Sequence, residues 1–134
     1  MSGTVRWSRF LFNVLAWVFV ACVAIQIYLA GVGVFQTGDF GVHRGFAIFG
    51  LLAIVMFGVA LVARAPRWVV GSTALIFGLF VLQSVFVVMR ESTPAVAALH
   101  PLNGFLIGLI SVVLAWRTRD WLRAPRPVDP ASTT

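Results

Sequence analysis

Long apolar stretches follow one another along this chain, separated by brief polar interruptions. Four uncharged stretches stand out, at residues 10–38, 45–63, 68–89 and 92–116. Each approaches or exceeds the roughly 20 apolar residues that carry an α-helix across a bilayer. The pattern predicts helices over about 10–35, 40–63, 67–89 and 94–116. The polar positions between them read as turns. Gln36-Thr37-Gly38-Asp39 forms the first, with Asp39 placed to cap the second helix. Ala65-Pro66-Arg67 forms the second, because proline disfavours the α conformation before it and suits the start of a new helix. Arg90-Glu91-Ser92-Thr93 forms the third, with Thr93-Pro94 as cap and first helical position.

The fourth helix is less regular because it contains Pro101. A helix from Pro94 with a local distortion is the expectation. The alternative is a start at His100-Pro101 after a short reentrant segment, which leaves only about 24 Å of helix. Turns this short make consecutive helices antiparallel neighbours. The expected fold is therefore all-α integral membrane: an up-down-up-down bundle of four transmembrane helices in a single domain over 1–123. The remaining 124–134, with three prolines and no periodicity, is expected to be a flexible tail.

Composition narrows the function classes. Of the 134 residues, 60% are hydrophobic and 10% charged, against about a quarter charged in a soluble domain. A water-soluble globule is excluded, and little chain is left for catalysis outside the bundle. The net charge of +6 suggests nucleic acid until its placement is examined. All the basic residues are arginines. Arg6, Arg9, Arg64, Arg67, Arg117, Arg119, Arg123 and Arg126 fall on one side of the predicted spans, and Arg44 and Arg90 on the other. That asymmetry assigns both termini of a multi-pass membrane protein to the cytoplasm. Trp7, Trp68, Trp116 and Trp121 lie at the same cytoplasmic ends, where indole rings anchor at headgroups. The charge sets orientation and touches membrane lipids; no nucleic-acid partner is expected. Arg6 and Arg9 precede an apolar run too long for a signal peptide, with no clear cleavage site, so an uncleaved first helix is expected. Cys22 is the sole cysteine, which excludes an intramolecular disulfide and leaves a packing role.

The polar residues inside the spans are few. His43 and His100 are the only histidines, near the starts of helices two and four. In an up-down bundle those helices are parallel and diagonally opposed, with axes about 12–14 Å apart by the usual spacing of neighbours. Two inward imidazoles leave a gap across that diagonal too wide for a hydrogen bond. One six-coordinate iron fills it, as the axial pair of a haem does. An offset of 57 residues relates His43 to His100, Gln26 to Gln83, Ala47 to Gly104 and Gly58 to Ala115, a hint of an internal repeat of two helices.

Below His43 the helical stripe carries Ala47, Gly50, Ile54 and Gly58; below His100 it carries Gly104, Gly108 and Ser111. Two readings of these glycines stand side by side: clearance for a flat porphyrin, and ordinary close packing of membrane helices. Arg44 and Arg90 lie at the depth where haem propionates emerge, or serve as interfacial helix ends paired with Asp39 and Glu91. Gln26 and Gln83 read as interhelical hydrogen-bonding glue or as donors to a bound cofactor. A non-haem metal site at the rim, from His43, His100, Asp39 and Glu91, is a further alternative.

Two segments carry a resemblance. Gly41-Val42-His43-Arg44-Gly45-Phe46-Ala47 resembles the His-Arg-Gly-containing helix of haem A synthases. Leu99-His100-Pro101-Leu102-Asn103-Gly104 is similar to a histidine segment of small four-helix b-type membrane cytochromes. The whole chain resembles an uncharacterised family of small bacterial four-helix membrane proteins, equivalent to one four-helix half of a haem A synthase. The resemblance implies that His43 and His100 ligate a haem. It departs at the carboxylate ahead of the catalytic histidine, for which Asp39 is only an approximate match, and in having one half rather than two. Stand-alone haem A synthesis is not expected.

The expected function is a membrane protein holding one haem b between His43 and His100 near the outer face. Gly50, Gly104, Gly108, Arg44, Arg90, Gln26 and Gln83 are its surroundings. Electron transfer with a quinone or redox protein at the outer face, haem sensing and haem handling all fit, and any enzymatic role would be that of an oxidoreductase. The alternative is a cofactor-free accessory or assembly subunit of a larger membrane complex, or a homo-oligomer. A transporter is weaker, because Arg90 is the only charge near the depth of a span.

Overall fold

The computed structural model describes residues 2–122, so the tail at 124–134, with Arg123 and Arg126, lies outside the described residues. Helix α1 spans Gly3–Val32, earlier than the apolar pattern predicts. Ser2 supplies the start: its side chain accepts the Val5 N–H at 3.4 Å. Arg6 and Arg9 are thus helical, because the polar-to-apolar boundary at Phe10 changes the solvent preference of the helix without breaking its backbone hydrogen bonds. At its far end α1 widens into one π turn, Gly33–Thr37. Gly38 closes that turn with φ 66 and donates to the Gly33 carbonyl at 2.9 Å. The left-handed conformation there explains the glycine.

The second span is made of α2 (Gly41–Phe46), a 3-10 stretch (Ala47–Leu51) and α3 (Leu52–Val62). Phe40 is the formal cap, but Asp39 still serves the helix start, its Oδ1 accepting the Gly41 N–H at 2.9 Å. The 3-10 stretch corrects the predicted stripe. A 3-10 helix turns about 120° per residue rather than 100°, so five residues rotate the face by about one position. Ile54 and Gly58 consequently point outward, and Ala53, Met56 and Ala60 point in. The span ends in a Schellman-type turn, with Ala65 N–H bonded to Ala60 O at 2.9 Å and Arg64 N–H to Leu61 O at 3.0 Å. Arg64 occupies the left-handed position at φ 48.

Helix α4 (Arg67–Val88) starts directly after Pro66. The fourth span opens with the short α5 (Pro94–Ala97), turns through Ala98-Leu99, and continues as α6 (His100–Thr118) with a 3-10 end at Arg119–Leu122. The distortion expected at Pro101 lies just ahead of it, and it makes His100 the first residue of the long helix.

No strand occurs among the described residues. The helices form four stretches long and apolar enough to cross a membrane: Gly3–Thr37, Gly41–Val62, Arg67–Val88 and Pro94–Trp121. Helix α1 packs on α3 and α6, and α4 packs on the same two, closing a ring with α1 and α4 on one diagonal. Phe12, Phe19, Met56, Ile76 and Leu114 fill the interior, while Val55, Val62, Leu109 and Trp116 face outward. Near the chain termini Asn13 bridges α1 to α6, donating to Ala115 O and Thr118 Oγ1, each at 2.9 Å. Arg9 donates to Ala63 O at 3.3 Å. Arg119 stacks over Trp116 at 3.5 Å and Arg117 over Trp68 at 4.8 Å.

Candidate functional site

At the end of the bundle opposite the chain's N-terminus, the four spans line a half-open cavity of about 550 Å³. That is within the usual 300–1,000 Å³ of small-molecule sites. Its lining is mostly apolar, and its floor is aromatic: Phe49 and Phe80 meet edge to face at 5.2 Å, with Phe19 behind Phe49 at 5.3 Å. Gln26, His43, Gln83 and His100 all line it.

The two histidines are held by the same bonds in the two halves. His43 Nδ1 lies 3.1 Å from the Gln26 main-chain carbonyl, and His100 Nδ1 lies 3.3 Å from that of Gln83. A carbonyl oxygen only accepts, so each Nδ1 carries the proton and each Nε2 keeps a lone pair. The Gln26 and Gln83 side-chain amides then donate to those nitrogens at 3.3 and 3.4 Å. Both pairs are 17 positions apart in sequence. The 57-residue offset seen in sequence thus appears as a repeated pattern of contacts, and Ala47 and Gly104 also occupy matching places in the cavity wall.

The imidazole rings approach each other across the bundle, with centroids 6.2 Å apart and planes inclined by 61°. Two imidazoles on opposite sides of one metal ion, each nitrogen about 2 Å from it and about 1 Å from its own ring centre, have centroids about 6 Å apart. A proton on Nδ1 given to a backbone carbonyl is also the usual support of an Nε2 metal ligand. Among the described residues no group of three or more His, Cys, Asp and Glu side chains could hold a metal ion. The alternative rim site is not assembled, since Asp39 pairs with Arg44 at 3.7 Å and Glu91 with Arg90 at 3.3 Å, all four exposed.

The other residues singled out in sequence divide by position. Arg44 lines the cavity; Arg90 lies outside the lining. Gly104 is part of the wall, where a β-carbon would come within 3.3 Å of the Gln83 amide nitrogen. Gly50 lies beneath the Phe80 ring and Gly108 against Val23 of α1, so both permit close packing of helices. Asn103 was missed. It is buried, and donates to Leu79 O at 2.8 Å and to Gln83 Oε1 at 2.6 Å. Its signal was available: a polar residue inside an apolar span, three positions after His100 and hence on the same face. The equivalent position in the first half is Phe46, and there the Gln26 Oε1 atom is buried with no hydrogen-bond partner among the described residues.

The sequence profile of a family of unknown function (DUF6220) matches residues 26–90, just under half of the chain. That stretch begins at Gln26, contains His43 and Gln83, and stops short of His100. No curated protein and no solved structure matches the chain.

Proposed function

We propose that this chain is a membrane protein that binds one haem b through His43 and His100. The observation that carries the reading is the pair of neighbouring imidazoles in the cavity wall, 6.2 Å between centroids, each with Nδ1 tied to a main-chain carbonyl and Nε2 held by a glutamine amide. Two protein ligands are too few for a structural zinc site. They suit a metal that brings four equatorial ligands of its own, and the apolar cavity suits the macrocycle that carries them. Arg44, the one cationic residue in the lining, is the partner for an acidic substituent at the rim.

In this reading the four spans cross a bacterial inner membrane up-down-up-down, both termini in the cytoplasm, and the haem lies near the outer face. The distribution of arginines supports the orientation. A single bis-histidine haem close to one face supports electron exchange at that face, with a quinone or a redox protein, or haem handling. It does not support electron passage across the whole membrane by one chain.

The test is an absorption spectrum of protein expressed with ample haem and purified in detergent. A Soret band with a sharp α-band on reduction is expected, changed by His43→Ala and by His100→Ala. A colourless preparation that carries a stoichiometric protein partner would replace the proposal with the cofactor-free accessory subunit.

A further inference from the structure

The two halves of the site match in their histidines and differ in what holds the glutamines. Gln26 Nε2 donates to two acceptors, His43 Nε2 at 3.3 Å and, at a shorter 3.0 Å, the His43 main-chain oxygen. Withdrawing the imidazole nitrogen leaves that amide its better partner. The Gln26 oxygen is buried and has no hydrogen-bond partner among the described residues, so none of them anchors the side chain through it. Gln83 is the opposite case. Its oxygen receives the Asn103 amide at 2.6 Å, which orients its nitrogen toward His100 Nε2 at 3.4 Å, the sole side-chain bond recorded for that nitrogen among the described residues. Asn103 is itself buried and anchored to Leu79 O. Freeing His100 Nε2 strands the Gln83 amide, and moving Gln83 aside strands an Asn103 N–H as well. A buried donor left without a partner is costly.

We infer that the two histidines are unequal ligands: His43 holds the iron permanently, and His100 is an exchangeable ligand guarded by Gln83 and Asn103. The inference rests on the haem reading above and refines it. The His100 side of the site is then the side that takes an exogenous neutral ligand, a small nitrogen base or a diatomic gas, in competition with the imidazole. Asn103 is a positioning residue, acting through Gln83. One lost hydrogen bond of ordinary size biases His43 over His100 by about tenfold.

The experiment uses full-length chain in detergent, titrated with haemin and followed by absorption and electron paramagnetic resonance. The His100→Ala variant is expected to keep its haem in a high-spin form that added imidazole converts to low spin. The His43→Ala variant is expected to bind haem at least about tenfold more weakly. Asn103→Leu, which leaves both histidines in place, is expected to shift the ferric spin equilibrium toward low spin by about the same factor and, after reduction with dithionite, to slow displacement by carbon monoxide. Wild-type protein that binds haem while the two histidine variants behave alike, or an unchanged spin equilibrium in Asn103→Leu, overturns the inequality and leaves the haem reading standing. Wild-type protein that takes up no haem overturns both.

Discussion

Gly50 and Gly58 lie on the same predicted stripe of the second span, yet the structure gives them opposite surroundings. A β-carbon added at Gly50 would fall inside the contact distance of the Phe80 ring, whereas one at Gly58 meets nothing within 4 Å. Phe80 cannot retreat toward the core, because Phe49 stands against it edge to face at 5.2 Å. Its free side is the cavity it lines. Gly50→Ala must therefore swing that ring into the cavity or part α3 from α4. Overpacking of this kind costs about 1–3 kcal/mol, offset by up to about 1 kcal/mol of helix propensity. Gly58→Ala gains the propensity alone. The two variants should differ by about 1–3 kcal/mol, with Gly50→Ala the less stable. Reversible unfolding in mixed detergent micelles, followed by circular dichroism, measures the difference. Haem uptake gives a second readout, expected to fall in Gly50→Ala and to stay level in Gly58→Ala. Equal stabilities within about 0.5 kcal/mol would refute the rotation of the helix face assigned to the 3-10 stretch at Ala47–Leu51.

Other outcomes follow from single features. Asn13→Ala removes both bonds from α1 to α6 and should destabilise the bundle by about 1–2 kcal/mol in the same assay; no change would mean that the helices find equivalent contacts without it. Arg64→Gly relieves a left-handed residue at φ 48 and should stabilise by about 1 kcal/mol, while a loss would show that the guanidinium itself is needed at that turn. Asp39→Asn should alter stability by less than about 0.5 kcal/mol, since its pairing with Arg44 is long and exposed. For orientation, Thr37→Cys and Ser92→Cys in a Cys22→Ala background should react with a membrane-impermeant thiol reagent in intact cells, and Arg64→Cys only after lysis. The reverse pattern sinks the assignment of the termini to the cytoplasm.

The helices were legible because each is a long apolar run bounded by glycine, proline or a capping residue, as at Pro66 and Gly38. The two histidines could be paired from sequence alone, since their offset equals that of Gln26 and Gln83 and nothing else in the spans competes for the role. Three features were hidden, each for a physical reason. The start of α1 depends on a Ser2 cap rather than on hydropathy. The inward face of α3 depends on a 3-10 stretch that Ala47–Leu51 does not announce by composition. The bond from Asn103 to Gln83 joins residues 20 positions apart on different helices, so its geometry emerges only when α4 and α6 pack. The glycine stripe mixed two roles for the same reason: Gly104 borders the cavity and Gly50 and Gly108 border other helices, a distinction set by what lies opposite.

The repeated contacts around the cavity bear on how any molecule seats there. A ligand between two near-equivalent halves has two orientations available, related by half a turn. For a molecule that lacks that symmetry they are distinct species of almost equal energy. Selection between them falls to the positions where the halves disagree, among them Arg44 against Pro101, Ile27 against Ser84 and Val23 against Phe80 in the wall, and Phe46 against Asn103 behind it. Together these must supply about 1.4 kcal/mol for even a tenfold preference. The ligand-bound protein is therefore expected to show two sets of ligand resonances, and their ratio would measure how far the two halves have diverged.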